Sequence, residues 1–543
     1  MTSPPHRAPD GVWWGWGTAD RHEPLGEGTR RLLETVLHVP HADTPAVDED
    51  AVRLPDGRLT EAAAQALEVA VGSGAVHRDA AARLRHTAGR NSLDLLRLRE
   101  GDARDAPDAV VLPGSHDDVQ AVLAVAVEHR LAVIPWGGGT SVVGGLAADS
   151  SEHAGRLALD LRRLDRLLAV DPVSRTARFE AGVRGPEAEA LLAPHGLALG
   201  HLPQSWEHAS LGGYAVTRSS GQASSGYGRF DAMVQALRVA TPRGGWELGR
   251  APASAAGPDL RQLVLGSEGA FGIVTEVVVR VHPLPEVTRY EAWQLPDLAA
   301  GVEVLRRLAQ DGPLPVVARL SDEVETALAL ARGAAAGPGA PSVQPGGCQL
   351  VTGLEGTAAQ VARQQGELAA VLGEAGVVPL GEAAGEAWRA GRYEGPYTRD
   401  ALLDAGALVE TMESATSWSG LLALHAAVGA ALTASLTAAG APPLVSCHVS
   451  HLYPAGASLY WTVVSARAED PASQWRSAKS AALQAIVAAG ATITHHHGVG
   501  VDHRPWLAAE VGELGVEVLQ AIKGVLDPTG ILNPGVLMPP AGR

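Results

Sequence analysis

A chain of 543 residues, 46% of them hydrophobic, is long enough for roughly two to four domains, since single cores rarely grow past ~250–300 residues. Its formal net charge of −17, from 43 basic and 60 acidic residues, excludes the basic stripe that nucleic-acid phosphates require, but not a small anion held by a local arginine cluster. Cys348 and Cys447 are the only cysteines, which excludes a disulfide framework and a cysteine-built metal site and fits a reducing compartment.

Residues 1–17 are rich in proline and tryptophan and lack the apolar stretch of a secretory signal, so a cytoplasmic protein is expected. Within them, Val12-Trp13-Trp14-Gly15-Trp16-Gly17 is an aromatic knot that a soluble chain must pack on another domain. Residues 29–99 have largely helical spacing, with Thr60 placed to start a helix, and 1–105 read as a helical N-terminal arm. Ala106-Pro107-Asp108 ends that pattern. Short strands at 110–112, 131–134, 157–161 and 176–180 follow, with helices at 119–129, opened by Ser115 or His116, and from Pro186 to about Ala193. This is an α+β texture.

The strand at 131–134 runs into Pro135-Trp136-Gly137-Gly138-Gly139-Thr140-Ser141. Three residues without a Cβ let successive N–H groups turn inward as an anion-binding nest, and Thr140 and Ser141 add hydroxyls. A P-loop is excluded because no lysine is present, and a Rossmann turn because Gly144, Gly145 and residues 149–155 interrupt any following helix. Two further stretches have the same character. Residues 200–229 form a long polar, glycine-rich segment without strong helical or strand period, and Gly266-Ser267-Glu268-Gly269-Ala270-Phe271 precedes a strand at 272–281.

Pro283-Leu284-Pro285 marks a second boundary, beyond which strands and amphipathic helices alternate. Residues 418–446 carry no charge and are long enough to span a bilayer. Gly429, Gly440 and Pro442-Pro443 favour a buried helix followed by a strand. Tyr453 lies two residues after His451, on one side of an extended segment, and local spacing leaves open whether its phenol is reactive or merely buried. Arg319 and Arg399 are followed by Asp322 and Asp400, as in ordinary surface pairs. His495-His496-His497 invites a metal, but in a strand only His495 and His497 share a side, so no metal is expected.

Together these stretches resemble the flavoproteins of the vanillyl-alcohol-oxidase and p-cresol-methylhydroxylase fold, and within them the alkyldihydroxyacetonephosphate synthases. The resemblance runs in order from Trp14-Gly15-Trp16-Gly17 to the histidine triplet. It implies a two-lobed molecule: an FAD-binding domain of the p-cresol-methylhydroxylase type at 106–285, an α/β cap at 286–490, and a C-terminal segment, 491–543, that completes the active site with the triplet. It further implies four backbone segments around FAD: Pro135 to Ser141; Pro203-Gln204-Ser205-Trp206-Glu207-His208-Ala209; Val216-Thr217-Arg218-Ser219; and Glu268-Gly269-Ala270-Phe271-Gly272-Ile273-Val274. Tyr453 matches the family's proton-transferring tyrosine, Arg319 and Arg399 its substrate-binding arginines, and His495 to His497 its triplet.

The activity so implied is exchange of the acyl chain of acyl-dihydroxyacetone phosphate for a long-chain alcohol, without net redox change. An FAD-dependent oxidoreductase acting on a 2-hydroxy acid is the alternative, although the cap has no His-Gly-Asp-Gly-Asn-like segment. FAD is expected to be non-covalent, because the loop offers Trp136 rather than histidine or cysteine. The expected partner is a phosphate-ester or lipid substrate, with no nucleic acid and no transmembrane segment; a peripheral membrane contact and a homodimer are compatible with this. Gln204 and Trp206 depart from the acid and leucine usual in the synthases, and neither end carries a peroxisomal address.

Overall fold

The computed structural model describes residues 11–40, 42–331 and 346–539. The expectations for residues 1–10 and for the last four residues lie outside that range. Strands Val76–His77 (β1), Ala109–Val111 (β2), Leu131–Trp136 (β3) and Gly155–Asp160 (β4) form a sheet of order β1-β2-β4-β3, with β2, β4 and β3 parallel. Every residue of β2 and β4 is buried, as parallel strands covered on both faces require. The helix His116–His129 joins β2 to β3. Ser115 caps its start by accepting from the Asp118 N–H, and left-handed Arg130 ends it.

Strands Leu167–Asp171 (β5), Thr176–Glu180 (β6), Val234–Thr241 (β8), Gly244–Leu248 (β9) and Ile273–Arg280 (β10) make an antiparallel sheet of order β5-β6-β10-β8-β9. A two-stranded ribbon, Leu197–Ala198 (β7) with His282–Pro283 (β11), lies beside it in sequence. One hydrophobic core joins the first two sheets through Val133, Leu157, Phe179, Val239 and Val277.

The third large sheet is antiparallel throughout. Val287–Leu295 (β12), Val317–Ser321 (β13), Cys348–Gly356 (β14), Val378–Gly381 (β15), Ala407–Ser417 (β16), Leu444–Tyr453 (β17) and Gly456–Ala466 (β18) run in the order β15-β12-β14-β13-β17-β18-β16. Leu305, Leu432 and Leu483, from three helices, pack with Trp461 of β18 in a second core.

The charge-free stretch is a helix, Leu421–Ala438, followed by β17, in the order expected. It is long and apolar enough to cross a membrane by length and composition, yet Leu421, Leu424, Val428, Leu432 and Leu436 form one stripe at i, i+3, i+4 spacing and fill the cap core. Two expectations need correction. The helical preface is four separate helices, Glu27–Val36, Glu61–Val71, Ala80–Arg85 and Ser92–Arg99, with irregular chain between the first two. The supposed loop at 200–229 contains the helix Leu211–Thr217, capped by Ser210, whose Oγ accepts from the Gly213 N–H; its two glycines hide helical propensity. Gly212 is required there, because a Cβ would stand 2.8 Å from that of Ala181.

Trp461 is fully buried in the cap core. Trp461→Ala should cost about 3–5 kcal/mol, read as an earlier urea midpoint for the cap than in the parent protein.

Candidate functional site

The four segments matched to FAD converge. A Cβ on Gly137 would meet Ser210 Oγ at 2.4 Å, and one on Gly138 the His208 carbonyl oxygen at 2.1 Å, so the glycine loop packs directly on the second segment. A Cβ on Gly269, at φ +80°, would strike the Pro135 ring, so the glycine lets the fourth segment lie against the first. The Glu268 N–H donates to the Val216 carbonyl at 2.9 Å, which joins the fourth to the third. Buried polar atoms in and beside these segments, Trp206 Nε1, His208 Nε2 and Ser267 Oγ, have no hydrogen-bond partner among the described residues. A polyphosphate-bearing heteroaromatic cofactor fits such a cradle.

Several side chains in the segments are committed to the protein itself. Arg218, left-handed at φ 52°, donates to the Leu265 and Gln262 carbonyls and pairs with Asp231, so its guanidinium secures neighbouring loops. Glu207 pairs with Arg21 at 2.7 Å, and Trp206 stacks on Tyr393. Both carboxylate oxygens of buried Glu268 accept from the Gly500 N–H, and Oε2 also from Val499, which clamps the fourth segment to the chain just past the histidine triplet. Valine at Gly138 would therefore strike the His208 backbone before it obstructed any phosphate.

Tyr453, at the end of β17, places its hydroxyl 2.7 Å from His495 Nε2. The His451 ring stacks on His495 at 5.1 Å, and His495 Nδ1 lies 2.9 Å from His496 Nδ1. His496 and His497 both border Tyr460. Residues 495–497 form a bend rather than a strand, so the pairing of His495 with His497 gives way to a cluster of His451, His495 and His496. Their ring nitrogens lie within 4.8 Å of one another, a spacing at which a metal could be held. The strand argument against a metal therefore fails in this fold.

Beneath the triplet lies Glu413 of β16, almost fully buried. Its carboxylate accepts from the Thr494 hydroxyl at 2.7 Å and from the backbone N–H groups of His495, His496 and His497 at 2.5, 3.2 and 3.0 Å. Burial alone would raise its pKa, but the imidazoles of His496, His497 and His495 and the Thr494 hydroxyl hold it well below the usual carboxylate range. Burial pushes the histidines down, His497 to about 3. It raises the Tyr453 phenol, against the opposing influence of Arg229 and Ser220.

Arg319, on β13, donates to Glu325 Oε1 at 2.8 Å and lies 3.0 Å from both ring nitrogens of His448. His448 stacks on Tyr460, which connects Arg319 to the triplet. The expected partner, Asp322, instead accepts from the Glu325 and Cys447 N–H groups. Arg399, in the helix Gly395–Asp404, pairs with Asp400 and donates to the Arg90 carbonyl at 2.6 Å. The two arginines share no partner among the described residues, because Arg399 faces the N-terminal arm. Sequence reading passed over Glu413, His448 and Arg229; an acid on the buried side of an apolar strand was the available signal for the first.

Two family models match the chain: FAD binding domain at residues 107–247 and FAD linked oxidases, C-terminal domain, at 284–537. The alkyldihydroxyacetonephosphate synthase of Trypanosoma brucei brucei is 34% identical over 511 residues, covering 90% of this chain and 83% of that protein. The chain belongs to this synthase family. A solved alkyldihydroxyacetonephosphate synthase superposes with a TM-score of 0.83 at 28% identity, over 96% of this chain and 98% of the other. The mitochondrial cytochrome D-lactate dehydrogenase of Arabidopsis thaliana is more distant, 27% identical over 81% of this chain and 74% of that protein. The chain is thus an FAD-dependent enzyme with the two-part α+β fold expected.

Glu413→Gln offers one amide oxygen to four donors, so turnover should fall at least about tenfold while flavin content stays unchanged; steady-state rates and the absorbance ratio of flavin to protein check this. Burial raises Glu268 to about 7, with the Gly500 and Val499 N–H groups opposing. The folded state then holds a proton that the unfolded chain has released, and stability falls as pH rises from about 5 to about 8. Thermal melts at those two pH values should differ less in Glu268→Gln than in the parent protein.

Proposed function

We propose that this enzyme exchanges the acyl chain of acyl-dihydroxyacetone phosphate for a long-chain alcohol, with FAD held non-covalently. The observation that carries this reading is the 2.7 Å contact of the Tyr453 hydroxyl with His495 Nε2, at the junction of cap and cofactor segments. The four converging segments would hold the flavin, which when bound would supply an electrophilic ring for substitution at the substrate carbon without net oxidation. Tyr453 moves the proton at that carbon. His495, neutral because it is buried, accepts from the phenol at Nε2 and passes charge towards His496 through the 2.9 Å contact of their Nδ1 atoms. Glu413 stabilises positive charge on the pair and holds all three backbone N–H groups in place.

Arg319 is the phosphate ligand in this proposal. Its planar fork suits a phosphate ester, and His448 and Tyr460 connect it to the triplet. Arg399 instead holds the backbone at Arg90. Cap and cofactor segments meet at Tyr453: the Leu452 N–H donates to Ser225 Oγ, and Arg229 and Ser220 bear on the phenol.

The deciding experiment is an anaerobic flavin spectrum, recorded first with acyl-dihydroxyacetone phosphate and then with a panel of 2-hydroxy acids. Fatty acid should be released from the lipid without lasting bleaching, and that release should disappear in Tyr453→Phe while the flavin remains bound. Full bleaching by a 2-hydroxy acid, reversed by an electron acceptor, would falsify the synthase reading. Flavin remaining on acid-precipitated polypeptide would overturn non-covalent binding.

A further inference from the structure

One ring nitrogen beside the proposed proton path is unused. His451 is 5% exposed, and its Nδ1, shut off from solvent, has no hydrogen-bond partner among the described residues. A buried nitrogen in that state costs stability until something fills its valence. The backbone explains how it comes to face the triplet. The pairing of β17 with β18 slips by one residue between Val449 and Leu452, and such a bulge re-aims the side chains it contains.

Two more nitrogens lie within reach. His495 Nδ1 and His496 Nδ1 stand 2.9 Å apart, and nitrogens of all three rings fall within 4.8 Å of one another. Three imidazoles suit zinc or a neighbouring first-row ion, and not magnesium or calcium, which take oxygen ligands. A tetrahedral ion with bonds of about 2.0–2.1 Å separates its nitrogens by roughly 3.3 Å. The pair at 2.9 Å therefore has to open only slightly, exchanging the proton it shares for the ion.

The three rings are held by different means. His451 belongs to β17, while the backbone of His495 and His496 is fixed by Glu413, whose carboxylate accepts both N–H groups. That carboxylate also stands 3.8 Å from His496 Nδ1, where its charge would offset part of the ion's.

Occupancy has a chemical consequence for Tyr453. A neutral imidazole carries one proton, and an ion bonded to His495 Nδ1 leaves that proton on Nε2, the nitrogen 2.7 Å from the Tyr453 hydroxyl. His495 can then only donate there, and the phenol has lost the base that takes its proton.

We propose that His451, His495 and His496 form a site for a divalent transition-metal ion of the zinc type, bound through Nδ1 of each ring, and that the ion shuts off turnover by fixing the His495 tautomer. The second half rests on the proton transfer from Tyr453 to His495 in the proposed function; the site itself does not.

Full-length, flavin-loaded protein is freed of metal with a chelator and titrated with zinc against a chromogenic indicator, while fatty-acid release from acyl-dihydroxyacetone phosphate is followed in parallel. Release should fall in step with zinc occupancy and return when chelator is added, with flavin content unchanged. His451→Ala should weaken zinc at least about tenfold, the cost of losing even an outer-shell partner of a metal site. Tyr453→Phe, which removes a hydroxyl from Nε2 and nothing from Nδ1, should bind zinc as the parent does. Flavin content and circular dichroism establish that each variant is folded, and His496→Ala is read in place of His451→Ala if that variant is not. Zinc affinity within twofold of the parent in the folded histidine variants would overturn the site, because the ion then lies on surface groups elsewhere. Zinc that binds through His451 and leaves fatty-acid release unchanged would overturn the shut-off. A metal-free parent that releases no fatty acid would refute the proposed function instead, and the indicator titration would still decide the site.

Discussion

The candidate site depends on one ionised carboxylate. Glu413 collects three consecutive backbone N–H groups and a hydroxyl, an arrangement more often seen around a bound anion than around a side chain. With those donors turned towards it, the His496 and His497 rings also stay 3.8 Å from the carboxylate, and His495 reaches Tyr453. Four polar contacts to one buried group offset its desolvation, and the nearby imidazoles complete the compensation. The proposed proton path and the way the triplet is held thus share one cause. The strand that carries Glu413 is paired along eleven residues with β18, so the carboxylate has little freedom to move.

The cofactor cradle depends on close approach in the same way. Glycines at 137, 138 and 269 let the first, second and fourth segments touch at distances no side chain would permit, and a backbone hydrogen bond adds the third. Glu268 then fastens this assembly to the loop leaving the histidine triplet.

Much of this was legible in the residues. The strand ending in three glycines, the helix capped by Ser115 and the charge-free helix before β17 follow from periodicity and capping. The polar stretch at 200–229 concealed a helix, because glycine weakens the local signal and packing on Ala181 decides the outcome. Long-range partners were invisible for a different reason. Glu413 is 82 residues from His495, and nothing near it in sequence says what it will accept. Arg319 and Arg399 look equivalent as isolated motifs. Only the fold shows one beside the triplet and the other against the arm.

The N-terminal arm is synthesised first, and part of its anchorage comes much later in the chain. Its Trp16 N–H waits for Asp400, 384 residues further along the chain, and Arg21 spans 186 residues to Glu207 and 373 to Glu394. The Asp400 and Glu394 contacts cannot form on a ribosome until residues 394–400 have emerged, whereas Glu207 is available earlier, and each contact closes a very long loop at an entropic cost. Until then the Trp16 N–H lacks that acceptor, although Trp13 already has Leu84, Ala88, Leu98 and Ala103 to pack against. Docking of Trp16 is therefore a report that the chain has been made as far as the helix Gly395–Asp404.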